Sequence, residues 1–262
     1  MTPAAAAAPL TAVLIGASGR MGRAIVSLAP EFPALALVGA IASEGSPVLG
    51  RDAGVIAGGA PNRLLITSNL AAALPRAQVV IDFSGAPATR ANLAACRAAR
   101  RPLLIGTTGY ADELEADFQA AARDIALLVA PNTSLGVTLL LELARSAARA
   151  LPGFTPSITE THHRQKKDAP SGTALALERA LREGRAGGAG VAPIRIASRR
   201  EGEVVGEHTV RFAGAGEELV LGHRALERGV FARGALAAAL WLAPQPPGRY
   251  AMRDVLIGKT GT

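Results

Sequence analysis

The chain has 262 residues, 49% of them hydrophobic and 19% charged, which is enough apolar material for one large or two modest domains and too much for a disordered tail. Its formal charge of +7 comes mostly from arginines scattered along the whole length, and only 3% of residues are aromatic, which argues against the basic stripe and stacking rings of a nucleic-acid surface. A single cysteine, Cys96, excludes an intrachain disulfide framework and CxxC metal chemistry, so an acidic small molecule is the expected partner.

Residues 1–9 lack the basic start and apolar core of a signal peptide and read as a frayed extension. No run of about 20 residues is continuously apolar, so neither a membrane span nor export is expected and the location reads as cytoplasmic. From residue 10 onward, apolar runs at 10–16, 34–41, 63–67, 77–84, 102–108 and 125–132 alternate with amphipathic stretches such as GRMGRAIVSLA, PATRANLAACRAAR and ADELEADFQAAARD. Continuous apolar strands separated by helices predict a parallel sheet covered on both faces, a doubly wound α/β domain. Cys96 falls inside one of these helices and reads as a buried helix cysteine. A long helix is predicted over 134–151. Beyond it, SITETHH, PIRIASR, GEHTVRFAG and EELVLGHRA read as strands with few helices between them, which is α+β character. Residues 182–193 read as a flexible connection, 230–243 as a last helix and 252–258 as a strand-like run returning to the first domain.

Gly16, Gly19 and Gly22 lie between the first strand and the first helix. A dinucleotide site needs glycines there for the tight turn, for backbone approach to the diphosphate and for close helix packing, with the anion at the helix N-terminus. The spacing is GxxGxxG. Where an acidic residue for the ribose hydroxyls normally ends the second strand, this chain has Ala42 and Ser43, with Glu44 slightly late, while Arg20 and Arg23 lie in the glycine loop.

The densest chemistry is ETHHRQKKDAPSGTA, residues 160–174. His162 and His163 precede Arg164, Lys166 and Lys167, and clustered positive charge lowers a histidine's pKa while attracting an anion. Pro170 and Ser171 suit a helix start, whose N–H groups at Gly172, Thr173 and Ala174 would face an anion. His208 and His223, isolated in strand-like runs, read as structural.

This stretch resembles the signature of the dihydrodipicolinate reductase family, and GASGRMG, VVIDFS, IGTTG, APNTSLGV, VGEHTV and ALWL…MRDVL follow in family order from about residue 11 to 258. The resemblance implies a Rossmann-like nucleotide domain, residues 1–131 completed by 237–262, and a substrate and oligomerisation domain, 132–236, assembled as a homotetramer. It implies NADH or NADPH as cofactor and a small dicarboxylate as substrate, with no metal, nucleic acid or membrane. Gly16, Ala17, Ser18, Gly19, Arg20 and Met21 would hold the diphosphate. Gly106, Thr107 and Thr108 would meet the nicotinamide end, and Ala130, Pro131, Asn132 and Thr133 would line the cofactor cleft. His162 and Lys166 are similar to the family's proton-transfer residues, and His163, Ser171, Gly172 and Thr173 to its substrate contacts.

The chain departs from the family at Ala42 and Ser43, at Gly85 where some members carry arginine, at Ser157 where glutamate is common, and in a short 182–206 segment. Two other readings compete: another two-domain nicotinamide dehydrogenase acting on an amino acid or semialdehyde, or a nucleotide sensor without chemistry.

Overall fold

The computed structural model describes residues 8–185 and 193–258. Its elements run β1 (Leu10–Ile15), α1 (Arg20–Leu28), β2 (Leu35–Ile41), α2 (Ala53–Ile56), β3 (Ile66–Thr67), α3 (Leu70–Ala73), β4 (Val79–Asp82), α4 (Ala86–Ala98), β5 (Leu103–Ile105), α5 (Leu114–Ala121) and β6 (Ala126–Val129). Then come α6 (Leu135–Ala150), β7 (Thr155–His162), α7 (Gly172–Gly184), β8 (Arg195–Arg200), β9 (Gly206–Ala213) and β10 (Glu218–Ala225), followed by α8 (Gly229–Leu242), β11 (Gly248–Tyr250) and α9 (Met252–Gly258). The chain divides into two units, Met1–Thr133 with Phe231–Thr262, and Ser134–Val230.

The first unit holds a seven-stranded sheet in the order β11-β6-β5-β4-β1-β2-β3, every pair parallel. Its central strands are apolar on both faces, as a helix-covered parallel sheet requires: Ala12, Val13, Leu14, Val79, Val80, Ile81, Leu103, Leu104 and Ile105 are all fully buried. Helices α4 and α5 contribute Leu93, Cys96 and Phe118 to the core on one face. Burial pushes the Cys96 thiol up to about 12, and Asp82 adds to the shift, so it is inert as a nucleophile. Strand order reverses direction at β1, which lies between β2 and β4, so the crevice beyond the carboxyl ends of β1 and β4 is where such sheets bind ligands.

The second unit is a four-stranded mixed sheet, β10-β9-β7-β8, in which only β7 and β8 run parallel. Helices α6 and α7 pack against one face, where Leu140, Ala144, Leu177 and Leu181 meet Ile158, Val210 and Phe212.

Two expectations need correction. The run at 252–258 is helix α9, and the strand that joins the first sheet is β11 just before it. Asp254 accepts the Ala251 N–H at 2.8 Å, and Met252 and Val255, three apart, are the buried residues, so a helical cap and period override the strand-like apolar run. The loop expected at 182–193 starts later, because α7 continues to Gly184; the part of it at 186–192, and residues 1–7 of the expected frayed extension, lie outside the described residues.

Candidate functional site

The turn from β1 to α1 is built on glycine. Gly16 has φ of +84°, and a Cβ there would sit 2.3 Å from the carbonyl oxygen of Phe83, the residue after β4. Gly22 faces back onto the same turn, its missing Cβ 2.1 Å from the Gly16 oxygen, so α1 approaches β1 more closely than any side chain permits. Gly16→Ala combines left-handed strain with overlap, each worth roughly 1–3 kcal/mol. Urea unfolding should show it about 2–4 kcal/mol less stable, and a loss under about 0.5 kcal/mol would show that the turn relaxes freely.

A cleft of about 410 Å³ opens at this turn, lined by Gly16, Ser18, Gly19, Ala42, Ser43, Glu44, Phe83, Ser84, Gly85 and Asn92 among others. Gly19 provides no side-chain cap to α1, and its first turn carries no acidic residue, which suits an anion at the helix N-terminus. Gly16 and Ala17 donate their N–H groups to Ile41 at 2.8 and 2.9 Å. Behind the cleft, buried Asp82 accepts from Ser84 N at 2.8 Å and Asn92 Nδ2 at 3.0 Å, tying the end of β4 to α4.

In the second unit, the apolar face under α6 and α7 turns polar at one end. Side chains two apart on a strand share a face, so Glu160 and His162 continue the row begun by Ile158, and His208 the row of Val210 and Phe212. Registry pairs Glu160 with His208 of β9 and with Ser198 of β8, and His162 with Arg200. Glu160 is fully buried, and its Oε1 accepts from Arg200 Nη1 at 3.0 Å. His162 Nδ1 lies in direct contact with Glu160 Oε2. The His162 and His208 rings meet edge to face, centroids 5.1 Å apart. Gly206 lets the β9 backbone pack closely against the pair, for a Cβ there would lie 3.1 Å from His162 Nε2.

Burial pushes the His162 imidazole down, Lys166 and Arg200 push the same way, and Glu160 opposes them without winning. His208 falls to about 4, chiefly through burial. Burial also acts to raise the Glu160 carboxyl, but Ser198, Arg200 and His162 outweigh it and hold the group below its usual range.

Strand β7 ends at His162, and a tight turn with Lys166 N on the His163 oxygen at 3.1 Å brings Lys166 back. Lys166 Nζ sits 2.8 Å from both carboxylate oxygens of Asp168, and Arg200 Nη2 holds the Asp168 carbonyl at 2.5 Å. Ser171 then caps α7, its Oγ accepting from Ala174 N at 3.2 Å and lying 3.3 Å from His208 Nε2.

A family model described as dihydrodipicolinate reductase, N-terminus, matches residues 10–133, and one described as dihydrodipicolinate reductase, C-terminus, matches 136–256. The chain belongs to the dihydrodipicolinate reductase family. It is 45% identical over 260 residues to the 4-hydroxy-tetrahydrodipicolinate reductase of Anaeromyxobacter dehalogenans (strain 2CP-1), covering 93% of this chain and 96% of that one. The Agrobacterium fabrum protein of the same name is 43% identical over 262 residues, 93% of this chain and 95% of that one. Among solved structures, the dipicolinate-bound dihydrodipicolinate reductase from Paenisporosarcina sp. TG-14 superposes with a TM-score of 0.77 at 22% identity, covering 93% and 97% of the two chains, and bears out the fold.

Within this reductase framework the structure distributes the expected site residues unevenly. Gly16, Ser18 and Gly19 line the cleft, with Arg20 and Met21 in the first turn of α1. Gly106, Thr107 and Thr108 follow β5, and Ala130, Pro131, Asn132 and Thr133 follow β6, but none of them lines that cleft. Thr107 is buried with its hydroxyl 3.4 Å from Asp82 Oδ1, and Thr133 donates to the Phe231 carbonyl at 2.6 Å. His162, Lys166, Ser171, Gly172 and Thr173 cluster in the second unit, with His163 half-buried at the first loop position. Of the three helix N–H groups expected to face an anion, the one on Ala174 is taken by the Ser171 cap.

Glu160, Asp168, Arg200 and His208 were missed. A signal for His208 existed: alternation through GEHTVRF sets it on the face of Val210 and Phe212, the core side.

Proposed function

We propose that the chain reduces 4-hydroxy-tetrahydrodipicolinate to tetrahydrodipicolinate, a step of diaminopimelate and lysine biosynthesis, with His162 and Lys166 as the proton-transfer pair. The observation that carries this is a buried imidazole held between Glu160 and His208, joined by one pinned loop to Lys166 and the N-terminus of α7. We assign nucleotide binding to the first unit and substrate binding to the second. In this assignment Gly16 to Met21 form the diphosphate turn, Gly106 to Thr108 and Ala130 to Thr133 serve the nicotinamide side, and His163, Ser171, Gly172 and Thr173 contact substrate.

NADH or NADPH supplies the hydride when bound. As a C–H bond forms at ring carbon 4 of the dehydrated, conjugated imine, the electron pair moves toward the ring nitrogen and must be met by a proton. Lys166, kept in place by Asp168, brings positive charge and a donor. His162, oriented by Glu160, supplies a second proton-exchanging group. One carboxylate of the substrate falls to the Gly172 and Thr173 end of α7, the other to the basic side chains of the 163–167 turn.

The assay is direct. The condensation product of pyruvate and aspartate semialdehyde should oxidise NADH or NADPH only when the protein is present, and failure with both nucleotides would overturn the proposal. Ala42 and Ser43 at the ribose end of the cleft neither grip two hydroxyls nor repel a phosphate, and Arg23 is turned back onto the Ser18 carbonyl at 2.9 Å. Calorimetry should therefore find the two nucleotides within about tenfold in affinity, roughly 1.4 kcal/mol. A preference above a hundredfold would give Arg20 or Glu44 a role in choosing between them.

Planar pyridine-2,6-dicarboxylate should inhibit competitively against substrate. Thr173→Val should weaken that inhibition by about 1–3 kcal/mol through a lost charge-assisted hydrogen bond, and added salt should weaken it further. Competition against nucleotide instead, or no change in Thr173→Val, would move the dicarboxylate elsewhere. We place the enzyme in the cytoplasm as a homotetramer built on the second unit; no helix among the described residues is long and apolar enough to cross a membrane. Sedimentation reads the assembly, and a monomer would refute it.

A further inference from the structure

We propose that Glu160, His162 and His208 form a binding site for a zinc-type divalent cation, and that filling it shuts the reductase down. The three supply ligand atoms that all lie within 4.8 Å of one another, and all three residues are buried. Two come from alternate positions of β7 and the third from the directly opposed position of β9, so the pleat aims all three at the same side of the sheet. Two imidazoles and one carboxylate, with a position left open, are a ligand set that zinc accepts.

The second observation is chemical. Glu160 Oε2 and His162 Nδ1 lie in direct contact with each other, and His208 Nδ1 is buried without a hydrogen-bond partner among the described residues. The residues are 0%, 8% and 4% exposed. Buried polar atoms normally find partners, and an unpartnered imidazole nitrogen close to a buried carboxylate and a second imidazole is what a cation can use. The ligand atoms of a tetrahedral zinc site lie about 3.4 Å apart, so small side-chain rotations complete the site.

Two groups oppose the ion: Lys166, whose charge already disfavours the charged forms of His162 and His208, and Arg200. Arg200 Nη1 lies 3.0 Å from the other Glu160 oxygen and already takes part of the carboxylate's charge, so micromolar binding is expected rather than the tight hold of a structural zinc. Inhibition, which rests on the assignment of proton transfer to His162, follows because a nitrogen bonded to zinc cannot exchange a proton.

The first test uses the whole protein without substrate, because the dicarboxylate itself chelates metal. Chelator-treated protein titrated with zinc chloride in the calorimeter should bind stoichiometrically, and cobalt(II) should give the visible bands of a four-coordinate site. The chain has four histidines, so their ring nitrogens are readily followed by NMR in wild-type protein. Zinc should shift nitrogens of His162 and His208 and leave His223 in place. His208→Gln should abolish stoichiometric binding. Shifts confined to other histidines, or no stoichiometric binding by wild-type protein, would overturn the site even if the variant failed to fold. Zinc should also reduce turnover at least tenfold, reversibly with a chelator. Zinc bound at His162 with turnover unchanged would leave the ion site standing and remove His162 from the reaction.

Discussion

His162→Gln should lower kcat by roughly 100- to 10,000-fold while KM for the dicarboxylate moves only a few-fold, the span that a positioned acid–base group typically contributes. Glutamine keeps a polar side chain of similar reach but cannot exchange a proton, so the variant separates proton transfer from packing. The setting of His162 makes this sharper than it would be on a surface. The ring is 8% exposed, touches Glu160 and stacks edge-on against His208, so bulk water is poorly placed to substitute for it. Steady-state kinetics at saturating nucleotide reads the effect. Wild-type kcat in His162→Gln would take the residue out of the mechanism, and a loss carried entirely by KM would make it a binding group.

Glu160→Ala should be the costliest substitution for stability around the site, at about 3 kcal/mol in urea unfolding. Its carboxylate is fully buried and faces two partners, Arg200 and His162. Breaking a buried pair by removing one member typically costs about 3–5 kcal/mol because the other charge stays buried alone. Arg200 keeps a fifth of its side chain exposed, and that places the expectation at the lower end. The double variant E160A/R200M should recover part of the loss, since the stranded charge is gone, and the cycle gives the coupling directly. If Glu160→Ala alone cost less than about 1 kcal/mol, the pair would carry no structural weight. Activity should fall with it, because the His162 ring loses the carboxylate that orients it; a variant with lost stability and full turnover would confine Glu160 to a structural part.

Local pattern carried most of the fold. The parallel sheet was legible because strands such as β5 and β6 are apolar at every position, and the helices between them keep their own period. The tail at 252–258 misled because the β-branched Val255 and Ile257 favour strands, while the decisive feature, Asp254 reaching back to Ala251 N, is a cap that an apolar run conceals. In the site, the 160–174 stretch announced itself because proton donors and a helix start are adjacent in sequence. Its supporting residues did not. Arg200 and His208 reach Glu160 and His162 across neighbouring strands, 40 and 46 residues beyond those partners, and that pairing depends on register, which alternation within each strand leaves open. Asp168 was in view but unassigned, since sequence alone does not show that its carboxylate takes the ammonium of Lys166 two residues before it.

The central claim is that His162 and Lys166 supply the protons that accompany hydride transfer. A single-turnover stopped-flow experiment on the double variant His162→Gln/Lys166→Ala, with nucleotide prebound and dicarboxylate mixed in, tests it most directly. Nicotinamide oxidation should slow by at least about 100-fold against wild type while calorimetry finds nucleotide affinity within about twofold. Oxidation at a rate within a few-fold of wild type would contradict the account.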